Sequence, residues 1–241
     1  MSGSRSGLVG AALTRIEDFL LEPAEPGGPR AAPTPPQAIG PRPVVAVFGL
    51  ARRCGATMVA RALASELAAR DPGGAGAVAS RTATGALPLA TVAARRLAER
   101  LADVPGATTS AIGRLCVVEG ADQVALSECA RHFAPLVLDP GNVEIGDGAV
   151  APADRLLLVT TPRVEKALAA AAVCCLRRAQ AAPLIVKNMV RRTGEEPRES
   201  GTAVELPYSR AGAQLALGGR QPRGELGRAV AVLADLCELA A

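Results

Sequence analysis

Tryptophan is missing from this 241-residue chain, tyrosine occurs once and phenylalanine three times, so aromatic residues make up only 2% of it. That leaves little material for stacking platforms that hold unpaired bases, and it argues against nucleic acid as the partner. Histidine occurs once, as His132, which argues against His-dependent catalytic triads and His-rich metal sites. Its expected place is structural, at a helix end just before a strand. Lysine occurs only at positions 166 and 187. The six cysteines (Cys54, Cys116, Cys129, Cys174, Cys175 and Cys237) form no CxxC pair, so neither a zinc site nor a disulfide framework is indicated. Five of them read as buried thiols; Cys54 falls in a loop expected to be exposed. No uncharged apolar run approaches the ~20 residues that span a bilayer. Glu17 and Asp18 interrupt the apolar stretch near the start, which does not read as a signal peptide, and the chain reads as cytoplasmic.

What remains is a chain 49% hydrophobic, built from Ala, Val and Leu. A core of such small pieces lets helices pack close to a sheet. The formal charge of +4 comes almost wholly from arginines spread along helices, a pattern of solvated faces.

Three regions follow from composition. Residues 1–21 contain a short amphipathic helix, with Leu8, Ala12, Ile16, Phe19 and Leu20 at helical spacing. Residues 22–42 are rich in Pro, Ala and Gly and read as a disordered linker. Residues 43–241 alternate continuous apolar runs of strand length with helical patterns. The runs are VVAVFGL, GAVAS, RLCVVEG, PLVLDPG, ADRLLLVTTP, PLIVKNMV and AVELP; helices are expected between them, including one over 163–180. That pattern predicts a three-layer α/β fold, a mostly parallel sheet with helices on both faces. Ligands of such sheets bind at the carboxyl ends of the strands, so the loops after Phe48, Leu138, Val159 and Val186 should converge.

The first of these loops is the most informative. VVAVFGLARRCGATMVARALA reads as strand, glycine-bearing loop and helix, the order a phosphate-binding loop needs. Glycines allow backbone N–H groups to point inward, and the helix amino end adds positive potential. Against G-x-x-x-x-G-K-[ST], Gly49 and Gly55 supply the glycines and Thr57 the hydroxyl for Mg2+. Ala56 stands where the lysine belongs, and the spacing is one residue longer. Arg52 and Arg53 are the loop's available positive charges. Asp139 ends a buried apolar strand; it either faces this site as a support for Mg2+ or caps the turn at Pro140 and Gly141.

The order of these segments resembles the ParA/MinD family of P-loop ATPases over nearly all of residues 43–241. VVAVFGLARRCGATMVARALASELA is similar to that family's first strand, loop and helix. PLVLDPGN is similar to its Walker B strand and switch turn, ADRLLLVTTP to the next strand, and VELPYSRAGAQLALGGRQP to a segment near its end. PLIVKNMVRR is similar to the strand whose asparagine meets the adenine base, which falls on Asn188. The resemblance implies ATP and Mg2+ as ligands, Gly49, Arg52, Arg53, Gly55, Ala56 and Thr57 around the phosphates, Thr57 and Asp139 toward the metal, and a nucleotide-dependent homodimer. It also marks departures. The family's catalytic lysine is replaced by Ala56, its signature lysine by Ala51 or a near neighbour, and AVASRTATG lacks the carboxylate that places the attacking water. Two functions follow as expectations: a nucleotide-binding switch or positioning protein with weak or no hydrolysis, or a pseudo-ATPase scaffold acting through a protein partner, with residues 8–21 as a contact. The scattered arginines and the acidic residues of the amino-terminal helix count against nucleic acid and membrane.

Overall fold

The structure, a computed structural model, describes residues 41–80, 89–142, 153–162, 183–190 and 203–238. The amino-terminal helix, nearly all of the linker and the helix expected over 163–180 lie outside the described residues. Arg42, the last residue assigned to the linker, is held in place. Its Nε donates to Asp71 at 2.6 Å and its backbone N–H to the Arg131 carbonyl at 3.2 Å.

Eight strands form one sheet: β1 (Val44–Gly49), β2 (Gly76–Ser80), β3 (Thr108–Ile112), β4 (Leu115–Glu119), β5 (Leu136–Asn142), β6 (Arg155–Thr160), β7 (Leu184–Val190) and β8 (Ala203–Pro207). Their order is β3-β4-β2-β5-β1-β6-β7-β8. All neighbours are parallel except β3 and β4. β3 was not expected from the apolar runs because its residues, TTSAI, are polar and half exposed. A two-residue turn at Gly113 and Arg114 joins it to β4, with Gly113 at a left-handed φ of 56°.

Because strand side chains alternate, each β-strand feeds two cores. Val45, Val47, Val78, Val137, Leu157 and Val159 face helix α1 (Ala56–Arg70) together with α5 (Gly224–Glu238). Ala46, Leu136, Leu138, Leu156 and Leu158 face α2 (Val92–Leu101) and α3 (Gln123–Ala130) on the other side. α4 (Arg210–Leu217), also not expected from the sequence, adds Ala216 to the first core. The result is the predicted three layers.

The small residues permit close approach. A Cβ on Gly76 would lie 2.9 Å from the Ala64 carbonyl oxygen of α1, so only glycine lets β2 pass there. Leu63 and Leu67 of α1 are buried, and burial stabilises each by about 1.5–3 kcal/mol. Arg70 then ties the far end of α1 to α5, donating to Asp235 at 2.6 Å and Glu238 at 2.9 Å as well as to Glu66. Burial pushes the thiols of Cys116 and Cys237 up to about 12, as expected of inert core cysteines. No helix among the described residues is long and apolar enough to cross a membrane.

Candidate functional site

The central strands bring the expected loops together. Gly49 pairs with Asn142 of β5 on one side and Val159 of β6 on the other, and Val159 pairs with Val186 of β7. The loop from Leu50 to Gly55 therefore rises from the carboxyl edge of the sheet, pinned at its base by Leu50 N–H donating to the Val159 carbonyl at 2.9 Å.

Its conformation suits an anion. Gly55 takes a left-handed φ of 87° immediately before α1, and Arg53 takes 64°, rare for a residue with a side chain. Among the described residues the N–H groups of Gly55, Ala56 and Thr57 make no hydrogen bond, and they sit at the positive end of α1. Arg52 and Arg53 are exposed, Ala51 and Thr57 are partly exposed and Ala56 is buried.

Cys54 departs from expectation. It is only 3% exposed, turned down among Val47, Ala56 and Val59 instead of outward. Its N–H bonds back to the Ala51 carbonyl, which curls the loop, and its own carbonyl accepts from Asn188 Nδ2 at 2.9 Å. Asn188 is itself buried, and a Cβ added at Gly55 would overlap its amide nitrogen. The structure thus places Asn188 against the loop backbone. The next residue, Met189, is held at φ 61° and is exposed.

Asp139 is 4% exposed and faces the same side of the sheet as Val137, toward α1. Ser80, its register partner on β2, donates to Oδ2 at 3.3 Å. Oδ1 is buried and has no hydrogen-bond partner among the described residues. Burial raises the carboxyl above its ordinary range; the nearby Thr57 and Ser80 hydroxyls, the Gly141 N–H and the Arg61 charge pull the other way. Asp139 and Thr57 therefore share one small polar space beneath the loop.

Arg61, Ser80 and Glu119 were missed in the sequence. Arg61 lies one turn after Thr57 on α1 and is fully buried. Its Nη1 donates to the Leu217 carbonyl at 2.9 Å, capping the end of α4. Burial lowers its affinity for its proton, and the charges of Asp139 and Glu119 restore part of it. Ala79 pairs with Val118, so the same register brings Glu119 level with Ser80 and Asp139 along the strand ends. The available signal was an arginine on the apolar face of an Ala-rich helix, between Ala60 and Ala62 and four residues after Thr57.

Among the described residues no three His, Cys, Asp or Glu side chains converge on one point. Thr57 and Asp139 supply two oxygen donors, with the Ser80 hydroxyl beside them. A hard cation there would draw most of its oxygen ligands from phosphate and water, which is how Mg2+ is usually held beside nucleotides. The donor chemistry and the buried Oδ1, without a hydrogen-bond partner among the described residues, fit that arrangement.

No protein-family model matches the chain, and no curated protein matches it in sequence. Solved structures match it in fold. The ParA family ATPase from Chlorobium tepidum TLS has a TM-score of 0.51 and 16% identity, covering 80% of this chain and 98% of that one. A chain of the MinC:MinD cell division protein complex of Aquifex aeolicus has a TM-score of 0.54 and 15% identity, covering 83% and 97%. The fold is that of the ParA/MinD-type P-loop proteins.

Proposed function

We propose that this chain is a nucleotide-binding switch of the ParA/MinD kind that holds the phosphates of ATP without a P-loop lysine and hydrolyses them slowly or not at all. The observation that carries this reading is the left-handed turn at Gly55, which leaves three N–H groups at the positive end of α1 without partners among the described residues. Such donors recognise phosphate by dipole and hydrogen bond, with no need for a side-chain charge. Arg52 and Arg53, exposed on the same loop, supply positive charge of longer reach and planar geometry. Mg2+, when bound, would neutralise phosphate charge; Thr57 through its hydroxyl and Asp139 through its open Oδ1, directly or by water, are the residues that would hold it.

Slow turnover follows from what is missing. Ala56 puts a methyl group where a lysine would meet the phosphates, and losing a single charge-stabilising donor costs on the order of 3 kcal/mol of barrier. A protein that binds but barely hydrolyses can still dimerise around nucleotide and position a partner. The homodimer, the partner and a role for residues 8–21 belong to this proposal.

One observation favours the alternative, a scaffold that no longer binds nucleotide. Asn188 is buried and donates to the Cys54 carbonyl, and its side chain fills the space beside Gly55. Calorimetric titration with ATP separates the two. The switch requires Mg2+-dependent binding that weakens at least tenfold in Thr57→Val and Asp139→Ala. Absence of binding at millimolar ATP would leave the scaffold.

A further inference from the structure

A cleft of about 640 Å3 opens on the α1 side of the sheet, far from the phosphate loop. Arg114 lies just before β4, at the amino ends of the parallel strands, whereas the loop after β1 rises from their carboxyl ends. Glu66, on the opposite wall, is ten residues along α1 from Ala56, roughly 15 Å away. The volume is that of a small-molecule site.

Four arginines line it: Arg114 from the β3–β4 turn, Arg220 and Arg223 from the segment between α4 and α5, and Arg228 from the first turns of α5. All four are exposed, and none forms an ion pair among the described residues. The one acid among the described residues of the wall, Glu66, is already engaged, accepting from Gln221 at 2.8 Å and Arg70 at 3.1 Å. The amino end of the 15-residue α5, at Gly224 and Gly227, adds its positive potential to the same space.

The backbone presenting these charges is fixed. Arg114 N–H donates to the Gly219 carbonyl at 2.9 Å, and Arg220 N–H to the Leu215 carbonyl at 2.9 Å. Gly113 and Gly219, both left-handed, pack so closely that a Cβ on either would overlap the other turn's carbonyl oxygen. Holding four like charges around one recess works against stability unless something answers it. Arginine forks match phosphate oxygens in pairs. No aromatic side chain among the described residues lines the cleft.

We propose that this cleft is a second binding site, for a small soluble compound carrying several phosphate groups. The test uses the full chain and inorganic tripolyphosphate without Mg2+, with affinity measured by calorimetry. Tripolyphosphate should bind the cleft with about one equivalent, apart from any binding at the phosphate loop, and Arg220→Ala/Arg223→Ala should weaken that event about tenfold or more. Because these side chains are exposed and repel one another, the variant should keep or slightly raise the wild-type unfolding midpoint. Arg220→Lys/Arg223→Lys should recover only part of the affinity. Two controls share the same readout: Arg95→Ala/Arg96→Ala on the exposed face of α2, and Arg52→Ala/Arg53→Ala in the phosphate loop. The α2 variant should change binding no more than twofold, and the loop variant should leave the cleft event, the one weakened in Arg220→Ala/Arg223→Ala, within twofold. An equal loss in the α2 variant would mean general charge attraction and would overturn the proposal. So would a loss confined to the loop variant, which would place the ligand at the loop. Tighter binding of a short DNA duplex or of phosphatidylserine vesicles through the same arginines would overturn the small-molecule assignment.

Discussion

Replacing Gly55 with alanine tests the loop geometry on which the functional reading stands. Two costs follow from the structure. A φ of 87° in a residue with a Cβ costs about 1–2 kcal/mol. The added methyl would also overlap Asn188 Nδ2, forcing that side chain off the Cys54 carbonyl it meets at 2.9 Å and leaving a buried carbonyl unpaired, about 1–3 kcal/mol more. The expected total is roughly 2–5 kcal/mol, a fall in unfolding midpoint on the order of 10 °C for a unit of this size. Asn188→Ala alone should cost about 1–3 kcal/mol through the same carbonyl. In the double variant the alanine at 55 keeps its backbone strain but has nothing to displace. The two single effects should therefore exceed the double by about 1–3 kcal/mol, measured by urea unfolding followed by circular dichroism. Strict additivity, or a Gly55→Ala variant within 0.5 kcal/mol of wild type, taken as roughly the spread of neutral surface substitutions, would refute the loop as described.

Asp139→Asn should raise the stability of the nucleotide-free protein at pH 8, because burial lifts the folded carboxyl above its unfolded value and so disfavours the ionised form. The wild-type protein recovers as pH falls through the folded value, so the advantage of the variant should shrink and vanish below the ordinary carboxylate range, as thermal unfolding across pH would report. Arg61→Ala should destabilise by about 2–4 kcal/mol, through the lost bond to the Leu217 carbonyl and the cavity left in the core. Combining it with Asp139→Asn should give less than the sum of the two effects, since the arginine offsets the buried carboxylate; strict additivity would show the two charges to be uncoupled. Cys116 and Cys237 should resist iodoacetamide at pH 8 in the folded protein, with labelling read by mass spectrometry, because their thiols are held near 12.

Much of the fold was legible because its strands are continuous apolar runs. VVAVFG is buried at every position, and its neighbours on both sides read the same way. The carboxyl-edge convergence followed from alternation alone. β3 was invisible for the opposite reason: TTSAI lies at the sheet edge with half its residues facing water, and its pairing depends on a two-residue glycine turn. Gly49, Gly55 and Thr57 could be placed in one loop because local spacing fixes them, and Asp139 joined them once β5 proved the neighbour of β1. Cys54 could not be placed that way, since its burial depends on the left-handed turns on either side of it. Arg61 was hidden by its helix, where an arginine between alanines reads as solvated surface until Asp139 and the end of α4 are packed around it.

The most direct test of nucleotide binding is the unfolding midpoint of the full chain with ATP, with and without Mg2+. A ligand at a hundred times its Kd stabilises by about 2.7 kcal/mol. A rise of several degrees that needs both ATP and Mg2+, and that disappears in Asp139→Ala, is the predicted result. An unchanged midpoint at millimolar Mg2+ and ATP would contradict the account and leave the loop at Gly55 as a structural turn.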